Sequence, residues 1–312
     1  MAAEKTKVLV IGATGRLGRH LVTASLAAGH PTFALVREHA FSDPDKSLLL
    51  RSFSDAGVTL IKGSLNDLQS LHEAIKLVDV VICSIPGIQC LNQQLLIQAI
   101  KEAGCIKRFI PSEFGCDVDK SQILGMDHGF YEKKAEVRRL IEKEGIPHTY
   151  ICCNLFMGYL LPSLVQPGLI KPPRDTMKIF GDGNVKAVFV KELDVATFTI
   201  NTIDDPKTLN KVLYLRPPGN VVSFNELAEI WEAKIQKKLE KIYIQEEQLL
   251  KLIQETPFTG KRELIFIYSA FIKGDHTYFC IEESSGLEGT QLYPDVKYTT
   301  VTEFLDSRLS EF

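Results

Sequence analysis

From Lys7 to Val22 the chain reads KVLVIGATGRLGRHLV: an apolar run of strand type, glycines at 12, 15 and 18, then an amphipathic stretch. A strand that ends in a glycine turn and passes directly into a helix is the opening of a βαβ unit. Such a unit needs further parallel strands beside it. Glycines let the backbone turn tightly and approach a pyrophosphate, whose charge meets the amides of the helix N-terminus. Gly12, Ala13, Thr14, Gly15, Arg16, Leu17 and Gly18 are therefore candidate cofactor-binding residues.

The stretches that follow supply the further strands. TFALV (32–36), VTLIKG (58–63), DVVICSI (79–85), KRFIPS (107–112) and HTYICC (148–153) alternate with helical patterns. Those helices are expected at about 17–28, 46–55, after Asn66 or Asp67, up to Ala103 and at 131–144. Buried strands alternating with helices predict an α/β fold, a Rossmann-like doubly wound parallel sheet. Ligands of such sheets lie beyond the carboxyl ends of the strands. That rule points to 12–18, 37–46, 84–90, 112–116 and the segment after Asn154. Beyond residue 155 the rhythm changes. QPGLIKPPRD (166–175) is a proline-rich connection, MKIFGDGNVKAVFV (177–190) reads as a hairpin, and 223–235 and 246–256 read as helices. The expected division is 1–155 for a cofactor-binding domain and 156–312 for a smaller, mixed substrate-binding domain, with some segments returning to the first.

A formal net charge of −3 disfavours nucleic acid or an anionic membrane as main partner, since both need a basic face. The seven cysteines are odd in number and form no CxxC pair, which suits reduced thiols better than disulfides. No His/Cys/Asp cluster has metal-ligand spacing, so no metal is expected. MAAEKTK carries no apolar signal core, and no run approaches a membrane span, so the expectation is a soluble, cytoplasmic protein.

The end of the second strand bears on which nucleotide is held. An NAD site places an acid there for the ribose hydroxyls. Here the sequence is LVREHAF, so Arg37 stands in that place, suited to an adenosine 2′-phosphate through charge-assisted bonds. Lys46 is within reach of the same phosphate, and NADPH is favoured over NADH. A Tyr-x-x-x-Lys pair is missing, because Ala135 stands four residues after Tyr131. Lys134 instead is followed at helical i+4 spacing by Arg138. A lysine becomes a useful base when burial or a neighbouring cation lowers its pKa, and Arg138 is placed to supply that cation.

GATGRLG, VDVVICS, KRFIPSEFG, EKKAEVRRLIEKEGIP, GDGN and LYPDVKYTTVTEFL together resemble the plant isoflavone reductase-like family, nearly end to end. These are atypical, NmrA-like short-chain dehydrogenases that include phenylcoumaran benzylic ether, pinoresinol–lariciresinol and isoflavone reductases. The resemblance implies a catalytic lysine at Lys134, within E-x-K-x-x-V-R-R. It implies NADPH contacts at Gly12–Gly18, Arg37, Lys46 and Arg138. It also implies reduction of a phenylpropanoid-derived aromatic substrate in lignan biosynthesis, with the phenylcoumaran branch preferred and a homodimer unsurprising. Around the substrate, CCNLFMGYL replaces the more common S-x-N-C-F-A-G-Y-F, leaving Asn154, Phe156, Met157 and Tyr159 as candidate substrate residues. Tyr268 stands where many relatives carry a histidine. A non-catalytic NADP-sensing regulator is the alternative from another class.

Overall fold

In the computed structural model, which describes residues 4–123, 125–126 and 129–309, parallel pairing begins at once. The strands β1 (Val8–Ile11), β2 (Thr32–Val36), β3 (Thr59–Lys62), β4 (Val80–Cys83) and β5 (Arg108–Ile110) form a 5-stranded sheet in the order β3-β2-β1-β4-β5. All four pairings are parallel, with Val8 in register with Thr32 on one side and Val80 on the other. Residues 1–3 of MAAEKTK lie outside the described residues.

Helices α1 (Gly18–Ala27), α2 (Pro44–Asp55), α3 (Leu68–Ile75), α4 (Gln93–Ala103) and α5 (Phe130–Lys143) cover the sheet. The period-2 alternation of β1 divides the core between its two faces. Val8 and Val10 pack with Leu21 and Val22 of α1, while Leu9 and Ile11 pack with α3, α4 and α5 through residues such as Leu71, Leu96 and Ile141. Asp67 caps α3, accepting from the Gln69 amide at 3.1 Å.

A parallel bridge between Phe109 and His148 links this sheet to β6 (Thr149–Cys152). Then follow β7 (Leu155–Phe156), α6 (Met157–Leu160), β8 (Thr176–Phe180), β9 (Lys186–Val190) and α7 (Glu192–Thr202). The rest is β10 (Lys211–Tyr214), β11 (Val221–Ser223), α8 (Phe224–Ile235), β12 (Glu240–Ile244), α9 (Glu246–Glu255), α10 (Phe258–Tyr268), β13 (Leu287–Glu288), α11 (Gly289–Leu292) and α12 (Val301–Arg308). β10 pairs in parallel with β6 and β13, so two late strands extend the first sheet's line.

Residues 177–190 are not a hairpin. Both strands form, but β8 pairs in parallel with β12, and β9 pairs with β7 and β11. The turn between them is engaged elsewhere. The Asn225 amide donates to the Asp182 carbonyl at 3.1 Å and to Asn184 Oδ1 at 3.0 Å, which pins the loop to the start of α8. Both edges of β9 are occupied by other partners, so β8 is free to diverge. Ser223 and Glu226 form a reciprocal capping box at that same helix start. Trp231 anchors the second core, its indole N–H donating to the Pro173 carbonyl at 2.8 Å.

Candidate functional site

The glycine turn is closed by its own backbone. The Gly15 amide donates to the Gly12 carbonyl at 2.9 Å. Gly12 sits at φ +84, a left-handed conformation that glycine adopts without strain. A Cβ at Gly18 would fall far inside contact distance of the Gly12 carbonyl, so α1 can begin this close to β1 only with glycine there. Among the described residues no side chain caps α1, which suits a helix start that meets an anion such as a pyrophosphate. Arg37 follows β2 and is exposed. Its neighbour Glu38 is turned to Lys62, whose ammonium lies 3.0 Å away, so the adjoining acid is already paired. Lys46 stands in the first turn of α2, held 3.1 Å from the capping Asp43. This turn, with cations rather than a free acid at the end of β2, fits a dinucleotide carrying a 2′-phosphate.

On α5, Tyr131, Lys134, Val137, Arg138 and Ile141 make one buried stripe at helical spacing, and two of its members are cations. The Lys134 ammonium donates to the Glu113 carbonyl at 2.5 Å and lies 5.2 Å from the centre of the Phe130 ring. Arg138 is differently placed from the sequence expectation: it does not line the cleft. Its guanidinium is enclosed by Glu113, by Asp117 at 2.6 Å and by Asp119 at 3.0 Å, and it lies 4.6 Å from the Tyr150 ring. Burial works against that charge, but the Glu113 and Asp117 carboxylates outweigh it and raise the guanidinium pKa well above its ordinary value. Compensated in this way, Arg138 is not the bare cation that would act on Lys134, and its donors are committed to acids rather than to a cofactor. Glu113 joins the two cations: its carboxylate holds Arg138, and its carbonyl accepts from Lys134.

One cleft of about 460 Å³ brings much of this together. Among the sequence candidates, Gly15, Arg16, Leu17, Lys134, Asn154, Phe156 and Tyr159 line it. Gly12, Ala13, Thr14 and Gly18 complete the turn whose centre forms one wall. Arg16 reaches across, donating to the Gly158 carbonyl at 2.9 Å with its guanidinium 5.5 Å from the Tyr159 ring. Two residues, Phe114 (φ +37) and Asn154 (φ +58), hold left-handed backbone conformations in the cleft wall. The Asn154 amide donates to the Gly115 carbonyl at 3.0 Å, which ties these two wall segments together. Non-glycine residues in that region are uncommon and gather where the backbone is shaped for a ligand.

Met157 and Tyr268 are not part of this wall. Met157 is fully buried in the second core. Tyr268 points the other way, its hydroxyl donating to Glu246 at 2.8 Å. The loops after β4 and β5 contribute as the strand-end rule anticipated, through Ser84 to Gly87 and Ser112 to Cys116. Arg262 and Phe266 of α10 also line the cleft, and no motif in the sequence announces them. Cys116 meets a buried histidine behind the wall: its Sγ is 3.0 Å from Nε2 of His276, whose Nδ1 accepts from the Val188 amide at 3.1 Å. Burial pushes the thiol up to about 11 and the imidazole down to about 3, so this pair is neutral and packs rather than reacts.

The family model described as NmrA-like matches residues 4–305. A probable pinoresinol–lariciresinol reductase of Arabidopsis thaliana is 62% identical over 306 residues, covering 98% of each chain. A phenylcoumaran benzylic ether reductase of Ginkgo biloba is 57% identical over 302 residues, covering 97% of this chain and 98% of its own. A solved complex of AtPrR2 with NADP+ and (+)-pinoresinol superposes with a TM-score of 0.93 at 41% identity, covering 98% of this chain and 99% of that one. With its glycine turn, its α5 lysine and relatives of this likeness along nearly its whole length, the chain belongs to the NmrA-like family.

Proposed function

We propose that this NADPH-dependent oxidoreductase reductively opens a benzylic ether in a phenolic, phenylpropanoid-derived dimer, as a phenylcoumaran benzylic ether reductase does. The observation that carries the reading is the buried Lys134 side chain in the wall of a cleft shared with the glycine turn and bordered by aromatic rings. In this reading Gly12–Gly18, Arg37 and Lys46 hold the cofactor, and Asn154, Phe156 and Tyr159 border the substrate. Residues 1–155 serve the cofactor and 156–312 mainly the substrate.

Lys134 Nζ, in its amine form, takes the proton of a phenol para to the benzylic carbon. The benzylic C–O bond then breaks; its electron pair leaves with the oxygen, which takes a proton from solvent, and a quinone methide remains. NADPH, when bound, supplies the hydride that the benzylic carbon takes up. Lys134 returns its proton to the phenolate as the ring regains aromaticity. The Glu113 carbonyl fixes the direction of Nζ, Arg138 positions Glu113, and Phe130, Phe156 and Phe266 keep water from the reacting carbon. Seven free cysteines suit a reducing compartment, and the cytoplasm is the place we assign. Among the described residues no helix is long and apolar enough to cross a membrane.

Pinoresinol–lariciresinol reduction is the second reading, supported by the 62% identity to a relative so named, and it breaks the same kind of bond. Isoflavone reduction stands behind both. NADPH oxidation measured over phenylcoumaran, furofuran and isoflavone substrates separates them. Lys134→Ala is expected to lower turnover on the best substrate by about 100-fold or more while NADPH affinity stays close to that of the parent. Tight NADPH binding with no oxidation on any substrate would replace the enzyme with a sensor.

A further inference from the structure

The charged side chains of the cleft differ in how far they are committed. Lys134 is given to the Glu113 carbonyl. Arg16 is given to the Gly158 carbonyl and lies 3.8 Å from Glu192. Among the described residues of the wall the one carboxylate, on Glu113, is taken by Arg138. Arg262 lines the same cleft from α10, and among the described residues neither a hydrogen-bond acceptor nor a carboxylate engages its guanidinium.

Its position relative to Lys134 follows from a row of rings. Phe266 lies four residues further along α10 and faces the cleft too. The Phe266 ring stands edge-on to Phe130, with centroids 5.8 Å apart, and Phe130 lies 5.2 Å from the Lys134 ammonium. Arg262 and Phe266, four residues apart on α10, share one face of that helix about 6 Å apart, so Arg262 lies next to the ring cluster that reaches Lys134. A phenolic ligand that meets Lys134 with its hydroxyl and lays a ring along Phe130 and Phe266 presents its remote end to Arg262. Arg262 is exposed at the cleft wall, and a planar guanidinium that no described residue engages selects a planar oxyanion and binds it with two parallel hydrogen bonds.

We propose that Arg262 sets the substrate specificity of this cleft, and that the preferred substrate carries a carboxylate at the end remote from its phenol. The substrate class is thus an aromatic acid rather than the corresponding alcohol. The inference deepens the reductase reading, and it is tested by binding so that the two fail separately.

The probes are 4-hydroxy-3-methoxycinnamate and 4-hydroxy-3-methoxycinnamyl alcohol, titrated calorimetrically into the full chain saturated with NADP+. The parent protein is expected to bind the acid about 10-fold more tightly than the alcohol, the advantage of a charge-assisted pair over a neutral one. Arg262→Gln brings the two affinities to within about twofold, Arg262→Lys falls between, and rising salt erodes the preference for the acid. Equal affinities in the parent, no measurable binding of the acid, or an unchanged ratio in Arg262→Gln would overturn the assignment. So would a loss of NADPH affinity in Arg262→Gln, which would give the residue to the cofactor. An acid preference that disappears in Arg262→Gln, without NADPH oxidation on any substrate, leaves this site standing and removes the reductase reading. NADPH oxidation without an acid preference does the reverse.

Discussion

Arg37 shows how much one side chain can decide. It leaves the end of β2 exposed, while the acid beside it is drawn away by Lys62 at 3.0 Å. A positive group is thus offered where a free carboxylate would select for ribose hydroxyls. Arg37→Glu is expected to weaken NADPH by roughly 10- to 100-fold and to leave NADH within a few-fold, because only the former carries the 2′-phosphate. Dissociation constants for both nucleotides check this, and equal losses would remove Arg37 from that role. At the same scale, Lys134, which the resemblance singles out in E-x-K-x-x-V-R-R, lies in the cleft wall. The enclosure of Arg138 was not legible in the sequence. Its acids, Glu113, Asp117 and Asp119, come from a loop well upstream, and helical spacing carries no information about what folds against a helix from outside it.

At the scale of elements, the meeting of β1 and α1 rests on Gly18. Adding a methyl group there drives Cβ into the Gly12 carbonyl, which is backbone and cannot swing aside. Gly18→Ala should destabilise the chain by about 1–3 kcal/mol, the usual cost of overpacking, and should weaken NADPH as the turn opens. At Gly15 the nearest atom to such a Cβ is the Gly12 carbonyl oxygen at 3.1 Å, a gap that a small shift relieves. Gly15→Ala should therefore stay nearer the parent in a urea unfolding series, and a reversed order would refute this account of the turn. Most elements of the first sheet announce themselves, because strands buried on both faces leave apolar runs and helices leave caps such as Asp67. The pairing of 177–190 did not. A glycine turn between two strands permits a hairpin, but whether one forms depends on which other strands claim the edges, here β7, β11 and β12. Likewise α10 is an ordinary amphipathic stretch until its fold places Arg262 and Phe266 against the cleft.

Over the whole molecule, His276 is a buried group whose proton links stability to pH. It links Val188 in β9 to Cys116 beyond β5, and so ties the later strands to the cleft wall. Burial first, and Arg216 second, lower its pKa from 6.5 to about 3. Between those values the unfolded chain binds a proton that the folded chain refuses. Stability is therefore full above the unfolded value and declines as pH falls, by up to about 1.4 kcal/mol per pH unit from this one group. The denaturant midpoint should fall more steeply between neutral and mildly acidic pH in the parent than in His276→Gln, whose amide takes up no proton in this range. An identical acid loss in the variant would assign that loss to carboxylates instead.

The late strands β10 and β13 have a consequence for how such a molecule is inherited. A chain that crosses to its second half and then comes back to finish the first half's sheet cannot be cut into two cassettes at residue 155. Exchange of pockets between relatives must carry residues 211–214 and 287–288 with their original sheet. New substrate preferences are then gained by substitution within the cleft wall rather than by trading halves.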